Sequence, residues 1–163
     1  MNISFTPITS ADLPAIREIY SWYVHNSTAT FHTEAVRDDE LLEFLHIGHP
    51  RYKSYLIFQE GRLAGYCFLT AHKKRQAYDR TAEVTIYLDP ECRGKGLGPV
   101  ALDHLETAAR SGGLKNLVGV ISGDNAGSIR LFEKAGYQKC AHFKNVGEKF
   151  GIVLDVVAYQ KEL

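Results

Sequence analysis

The hydrophobic pattern changes period several times along the chain, and each change marks an element. Ile3 and Phe5 alternate with polar residues as in a short strand. Leu13, Ile16, Ile19 or Tyr20, and Tyr23 or Val24 then recur at helical spacing, behind Thr9 or Ser10 as a cap and with Pro14 in the permissive first turn. A second short helix is expected over residues 38–47. Residues 55–59 and 62–70 flank Glu60-Gly61 and predict a hairpin. The next strand is predicted over residues 81–88, with Val84, Ile86 and Leu88 on one side and Glu83, Thr85 and Tyr87 on the other, until Asp89-Pro90 ends it. Leu97, Ala101, Leu102, Leu105 and Ala108 or Ala109 form a helical stripe closed by Gly112-Gly113. Residues 117–121 are apolar without a break, which predicts a strand buried on both faces. A helix over 126–135, with Gly136 at its C-terminal cap, and two strands over 137–146 and 152–160 complete the chain.

The resulting order is β-α-α-β-β-β-α-β-α-β-β. A helix joins the strand at 81 to the strand at 117, so these two form a parallel crossover inside a mixed sheet. The fold class is α+β rather than doubly wound.

Composition narrows the picture. No repeat, low-complexity tract or linker divides residues 1–163, which are expected to form one domain. At this length about two-thirds of the unfolded surface can be buried, so the core needs no metal or disulfide. The 19 Lys+Arg balance 19 Asp+Glu, which removes any general electrostatic hold on nucleic acid or an acidic membrane. No apolar run approaches the ~20 residues needed to cross a bilayer. Cys67, Cys92 and Cys140 are widely spaced and no secretory segment follows Met1, as in a reduced cytoplasmic protein. His46 and His49 lack a third ligand at matching spacing, so no metal is expected. Cys92 has no legible base beside it and reads as packing.

The chemistry concentrates in Arg93-Gly94-Lys95-Gly96-Leu97-Gly98-Pro99, between a strand end and a helix start. Three glycines in alternate positions remove Cβ atoms from the inside of the turn, so successive N–H groups can converge on a ligand oxygen. The helix start adds partial positive charge, and Arg93 and Lys95 add full charges, giving an anion site suited to a diphosphate. A P-loop would need Ser or Thr after Lys95, and the dinucleotide fingerprint G-x-G-x-x-G differs from the G-x-G-x-G here.

The Arg93, Gly96 and Gly98 pattern after Asp89-Pro90 resembles the acetyl-CoA motif of the GNAT acetyltransferase superfamily. The stretch from Asn125 to Tyr137, N-A-G-S-I-R-L-F-E-K-A-G-Y, resembles its second motif. Within the superfamily the chain is most similar to the phosphinothricin and methionine-sulfoximine N-acetyltransferases, through residues 28–34, 75–87 and 146–156. It departs from them at Ile152 and Val153, where a basic residue and Trp are usual, and at Phe132, where many superfamily members have a Tyr thought to protonate the leaving thiolate. A water held by Asn125 or the Tyr87 hydroxyl is left as the alternative donor.

The resemblance implies a mixed, mostly antiparallel sheet flanked by helices, with a splayed parallel strand pair at the acetyl-CoA site. It implies that the diphosphate lies on Arg93, Gly94, Lys95, Gly96, Leu97 and Gly98, with Asn125 and Ser128 also touching the cofactor. Pantetheine would pair like an added strand with Ile86, Tyr87 and Leu88, and the Leu88 N–H would polarise the thioester, a role typically worth about 3 kcal/mol in rate. Glu83 is the implied general base, which matters because only about one amine in 2,500 with a pKa near 10.4 is neutral at pH 7. Asn125 joins Glu83 and Leu88 in the catalytic set. Phe31, Glu34, Arg75, Tyr78 and Glu83 are the implied acceptor-binding residues, with Arg75 suited to a carboxylate. The expected activity is acetyl-CoA-dependent N-acetylation of a small amino acid or analogue by direct attack, in a homodimer. Acetylation of a peptide N-terminus or polyamine, and acyl-CoA binding without turnover, are the alternatives.

Overall fold

The computed structural model describes all of residues 1–163. Strand β1 (Ile3–Pro7) leads through a 3-10 turn at Ser10–Asp12 into helix α1 (Leu13–Asn26), and a single helical turn α2 (Asp38–Leu41) follows. Strands β2 (Ser54–Gln59), β3 (Arg62–Ala71) and β4 (Thr81–Leu88) precede helix α3 (Leu97–Ser111), strand β5 (Asn116–Ser122) and helix α4 (Ala126–Lys134). Strands β6 (Gln138–Lys149) and β7 (Ile152–Glu162) close the chain. The seven strands form one sheet in the order β1-β2-β3-β4-β5-β7-β6. Every neighbouring pair is antiparallel except β4 and β5. The expected element order, the mixed sheet and its single parallel crossover are all observed.

Helices cover both faces. The α3 stripe (Leu97, Ala101, Leu102, Leu105, Ala109) packs with Leu69, Val84, Leu117 and Tyr159 on one side of the sheet. The α1 stripe (Leu13, Ile16, Ile19, Tyr20, Tyr23, Val24) packs with Leu56, Tyr66 and Phe68 on the other. Leu105 and Ile16 are fully buried, and truncation of such a side chain to Ala costs about 2–5 kcal/mol. The β2–β3 hairpin turns through Glu60 and Gly61, both at positive φ, as the mirror-image two-residue turn requires.

Two expectations need correction. The helix expected over 38–47 is one turn: past Leu41 the Glu43 and Phe44 N–H groups donate only three residues back, to Glu40 O (3.2 Å) and Leu41 O (3.3 Å), and the chain coils into turns that bury Leu41 and Leu45. Strand β5 is not buried on both faces along its whole length, since Val120 is 52% exposed. Only Thr81, Ala82 and Glu83 of β4 pair with β5, opposite Asn116, Leu117 and Val118. Beyond them β4 stays with β3 as far as Leu88 and β5 stays with β7 as far as Ser122, so the sheet opens into a V and uncovers Val120.

Candidate functional site

A cleft of about 620 Å3 occupies this V. Its floor follows from the ladder on the other edge of β4. Asp89 N donates to Ala64 O at 2.8 Å, so by the alternation of an antiparallel pair Tyr87 also turns its main chain toward β3, and Leu88 and Ile86 turn theirs toward the gap. The Arg80 carbonyl, of the same parity as Leu88, accepts from Lys115 and Asn116 on the β5 side, which confirms that direction. Ile86 and Leu88 therefore present N–H and C=O groups to the cleft, whereas Tyr87, grouped with them as a pairing residue from the sequence, can contribute only its side chain. The Tyr23 hydroxyl from α1 donates to the Leu88 carbonyl, so the Leu88 peptide is held on one side while its N–H faces the opening. Gly65 lets β3 run this close to β4, because a Cβ there would meet Tyr87 O at 2.5 Å and Leu88 Cα at 2.9 Å.

At its C-terminal end β4 runs into the glycine turn. Gly94 and Gly96 sit at φ 73° and 79°, conformations that L side chains adopt at a cost, and a Cβ on either would meet nothing within 4 Å, so the turn has open space above it. Gly98 differs from these two. It lies inside α3, and a Cβ there would come 3.2 Å from Leu131 of α4, so its missing side chain lets the two helices approach. Arg93 lines the cleft with its guanidinium 4.8 Å above the Trp22 ring. Lys95 does not line it.

Helix α4 forms the opposite wall. The Asn125 side chain caps it, accepting from Ser128 N at 3.2 Å, and Asn125, Ser128 and Phe132 all line the cleft. Phe132 is buried against Gly119 of β5, where a Cβ would meet its ring at 2.6 Å, and meets Tyr137 edge-on at 4.9 Å. Burial raises the Tyr87 phenol above its ordinary pKa, so it stays a neutral hydroxyl, and its ring lies among Tyr20, Tyr23 and Tyr66.

Comparison with known proteins shows the family of the chain. The acetyltransferase (GNAT) family profile matches residues 16–137, which span the open strand edge, the glycine turn and α4. The chain belongs to the GNAT acetyltransferase family. It is 33% identical to the L-methionine sulfoximine/L-methionine sulfone acetyltransferase of Salmonella typhimurium, over 100% of this chain and 95% of the relative. It is 32% identical to the phosphinothricin N-acetyltransferase of Streptomyces viridochromogenes, over 98% of this chain and 87% of the relative. The crystal structure of a phosphinothricin acetyltransferase from Sinorhizobium meliloti in complex with acetyl-CoA superposes with a TM-score of 0.93 at 33% identity, covering 100% of this chain and 89% of that one.

In this acetyltransferase the expected cofactor residues Ile86, Tyr87, Leu88, Arg93, Gly94, Gly96, Leu97, Gly98, Asn125 and Ser128 all line the one cleft. The expected acceptor residues divide into two groups. Glu83 sits at the vertex of the V, with Oε2 3.0 Å from His72 Nδ1. His72 meets the Tyr78 ring edge-on at 5.8 Å, and the Arg75 guanidinium lies 5.5 Å from the same ring, so Glu83, Tyr78 and Arg75 form one string. Phe31 and Glu34 stand apart on the loop after α1. Phe31 lies against Gly147 of β6, and Glu34 is exposed without a side-chain partner.

Four participants escaped the sequence reading. Tyr23 and Trp22 hold Leu88 and Arg93; the helical stripe signalled Tyr23, though it marks burial and not what is touched, and Trp22 lies outside the stripe and had no signal. Thr28 donates to Asp124 at 2.7 Å and closes the end of the cleft between α1 and α4. Lys149 is 3% exposed and donates to the carbonyls of Tyr23 (3.3 Å), Ser27 (2.6 Å) and Thr30 (2.8 Å), tying the β6–β7 hairpin to the C-terminal end of α1. Burial lowers the Lys149 ammonium below the ordinary lysine pKa.

Proposed function

We propose that this acetyltransferase moves the acetyl group of acetyl-CoA to the α-amine of a small amino acid or its phosphinic, sulfone or sulfoximine analogue. The reading is carried by the open edge of β4, where Ile86 and Leu88 expose main-chain groups in line with the glycine turn. Pantetheine fits such an edge as an added strand, and the diphosphate fits the N–H groups of residues 93–98 at the start of α3. Glu83 removes a proton from the ammonium, directly or through water, and the neutral amine attacks the thioester carbon. The C–N bond forms as the carbonyl becomes an oxyanion facing the Leu88 N–H. The C–S bond then breaks, the thiolate leaves and takes a proton, and the amide nitrogen loses its second proton. With Phe132 unable to donate that proton, a water held by Asn125 or the Tyr87 hydroxyl supplies it. The step is feasible because a thiol pKa of about 8.5 makes the thiolate a tolerable leaving group.

The test is thiol release from acetyl-CoA with a panel of amines including methionine sulfone, methionine sulfoximine, phosphinothricin, a polyamine and a peptide. Release with the first three and not the others is expected. Glu83→Gln should lower kcat by ~10²-fold or more. A panel in which only the peptide or polyamine reacts reassigns the acceptor, and no release with any amine favours acyl-CoA binding without turnover.

We also propose that the protein works as a homodimer in a reducing compartment. Support comes from Phe143, Val146, Phe150, Ile152 and Val153, which are each exposed on the β6–β7 hairpin, and from three unpaired cysteines. Sedimentation of the purified chain at micromolar concentration should give twice the 18.3 kDa monomer mass.

A further inference from the structure

Glu83 is hydrogen-bonded on one oxygen only. Its Oε2 meets His72 Nδ1 at 3.0 Å, and no protein group hydrogen-bonds Oε1. An ionised carboxylate has no proton to give, so the hydrogen in this contact belongs to Nδ1 of the imidazole. The contact therefore sets the histidine tautomer as well as the carboxylate orientation. Strand register explains how the two meet. Thr70 lies opposite Glu83, and His72 is the first residue past the end of β3 at Ala71, two positions beyond Thr70, so the bend that leaves the strand carries its ring to the Glu83 carboxylate. The Tyr78 ring stands edge-on to His72 with an interplanar angle of 73°, which restrains the imidazole plane from the turn at Gln76–Tyr78. Both partners are only about a quarter exposed, with side-chain values of 27% and 28%.

We propose that His72 is a positioning residue for acetyl transfer, whose Nδ1–H holds Oε2 of Glu83 so that Oε1 is presented as the acceptor for the amine proton. A free glutamate on a strand divides its time among several rotamers, and a base displaced by even 1 Å can lose a large factor in rate. Fixing one oxygen from the side removes that freedom and leaves the other oxygen unencumbered. His72 itself makes no contact with the reacting atoms. Because Tyr78 and Arg75 belong to the same string, the turn that carries them sets the orientation of the base through His72.

The inference rests on Glu83 being the base, and the experiment separates the two. Steady-state kinetics are compared for His72→Leu, which keeps packing against Tyr78 but has no N–H, for His72→Asn, which keeps an N–H near the Nδ1 position, for Glu83→Gln, and for the double variant His72→Leu/Glu83→Gln. His72→Leu should lower kcat roughly tenfold to a hundredfold with the KM for acetyl-CoA unchanged. His72→Asn should restore most of the rate, and the double variant should be no slower than Glu83→Gln alone. A parental kcat in His72→Leu, or equal defects in His72→Leu and His72→Asn, overturns the positioning role while leaving Glu83 as base. A parental kcat in Glu83→Gln removes the base assignment and the inference with it. Nitrogen-15 shifts of the His72 ring provide a check that needs no acceptor: a protonated Nδ1 is expected at pH 7.5, and a bare Nδ1 overturns the contact.

Discussion

Single atoms decide how the glycine turn works, and its glycines serve two different ends. At Gly96, with φ 79° and open space where a Cβ would go, the objection to a side chain is the backbone conformation and the volume a ligand would need. Gly96→Val is expected to abolish stabilisation of the fold by CoA. In the parent protein that stabilisation is about 2.7 kcal/mol at a hundred times Kd. At Gly98 the obstacle is Leu131, 3.2 Å from a built Cβ, so Gly98→Val, whose methyls extend beyond that Cβ, should lower the melting temperature without ligand while keeping most of the protection by CoA. Differential scanning fluorimetry with and without CoA measures both. Equal behaviour of the two variants would mean that all three glycines serve one purpose.

At the scale of elements, α4 is seated by a glycine on the strand beneath it. Gly119 of β5 admits the Phe132 ring, and a Cβ there would lie 2.6 Å from ring carbon Cε1. Gly119→Ala should therefore cost about 1–3 kcal/mol as overpacking, and the smaller Phe132→Leu in the same chain should recover much of that loss. Denaturant unfolding of the four members of this cycle measures the coupling, and strictly additive losses would show that ring and strand are independent. The same contact bears on the chemistry, since it seats residue 132 against β5 at the wall of the cleft that Asn125 and Ser128 also line.

Across the whole molecule, two half-sheets share a short seam of three residue pairs and are sandwiched between helices. Stability of this assembly depends on pH through histidines that folding partly removes from water. Burial lowers both His46 and His104 from the ordinary value of 6.5, and His104 stacks on Phe5 at 3.9 Å with its Nε2 buried and unpartnered. A histidine whose folded pKa lies below its unfolded value binds fewer protons in the native state, so stability is whole above about pH 6.5 and falls as pH drops below it. Melting temperatures recorded from pH 8 to 5 should decline below pH 6.5, and His104→Phe, which preserves the stack, should flatten part of that decline. An unchanged slope in His104→Phe would place the dependence elsewhere.

Periodicity and turn chemistry act between residues a few positions apart, and the sequence alone was enough to determine what depends on them: the element order, the faces of α1, α3 and β4, the parallel crossover, the two-residue hairpin turn and the glycine turn with its flanking Arg93. Most residues that line the cleft in the V were legible for that reason, since they lie within two short motifs. Tertiary structure decided everything that depends on register and on layers meeting. The single helical turn at Asp38–Leu41, the point where β4 leaves β5, and the different role of Gly98 belong there. So do His72 on Glu83, Thr28 on Asp124 and Lys149 on the end of α1, separated along the chain by 11, 96 and up to 126 residues. No local pattern encodes such pairs, because each partner looks ordinary in its own segment and acquires its role only when packing brings the other within hydrogen-bond distance.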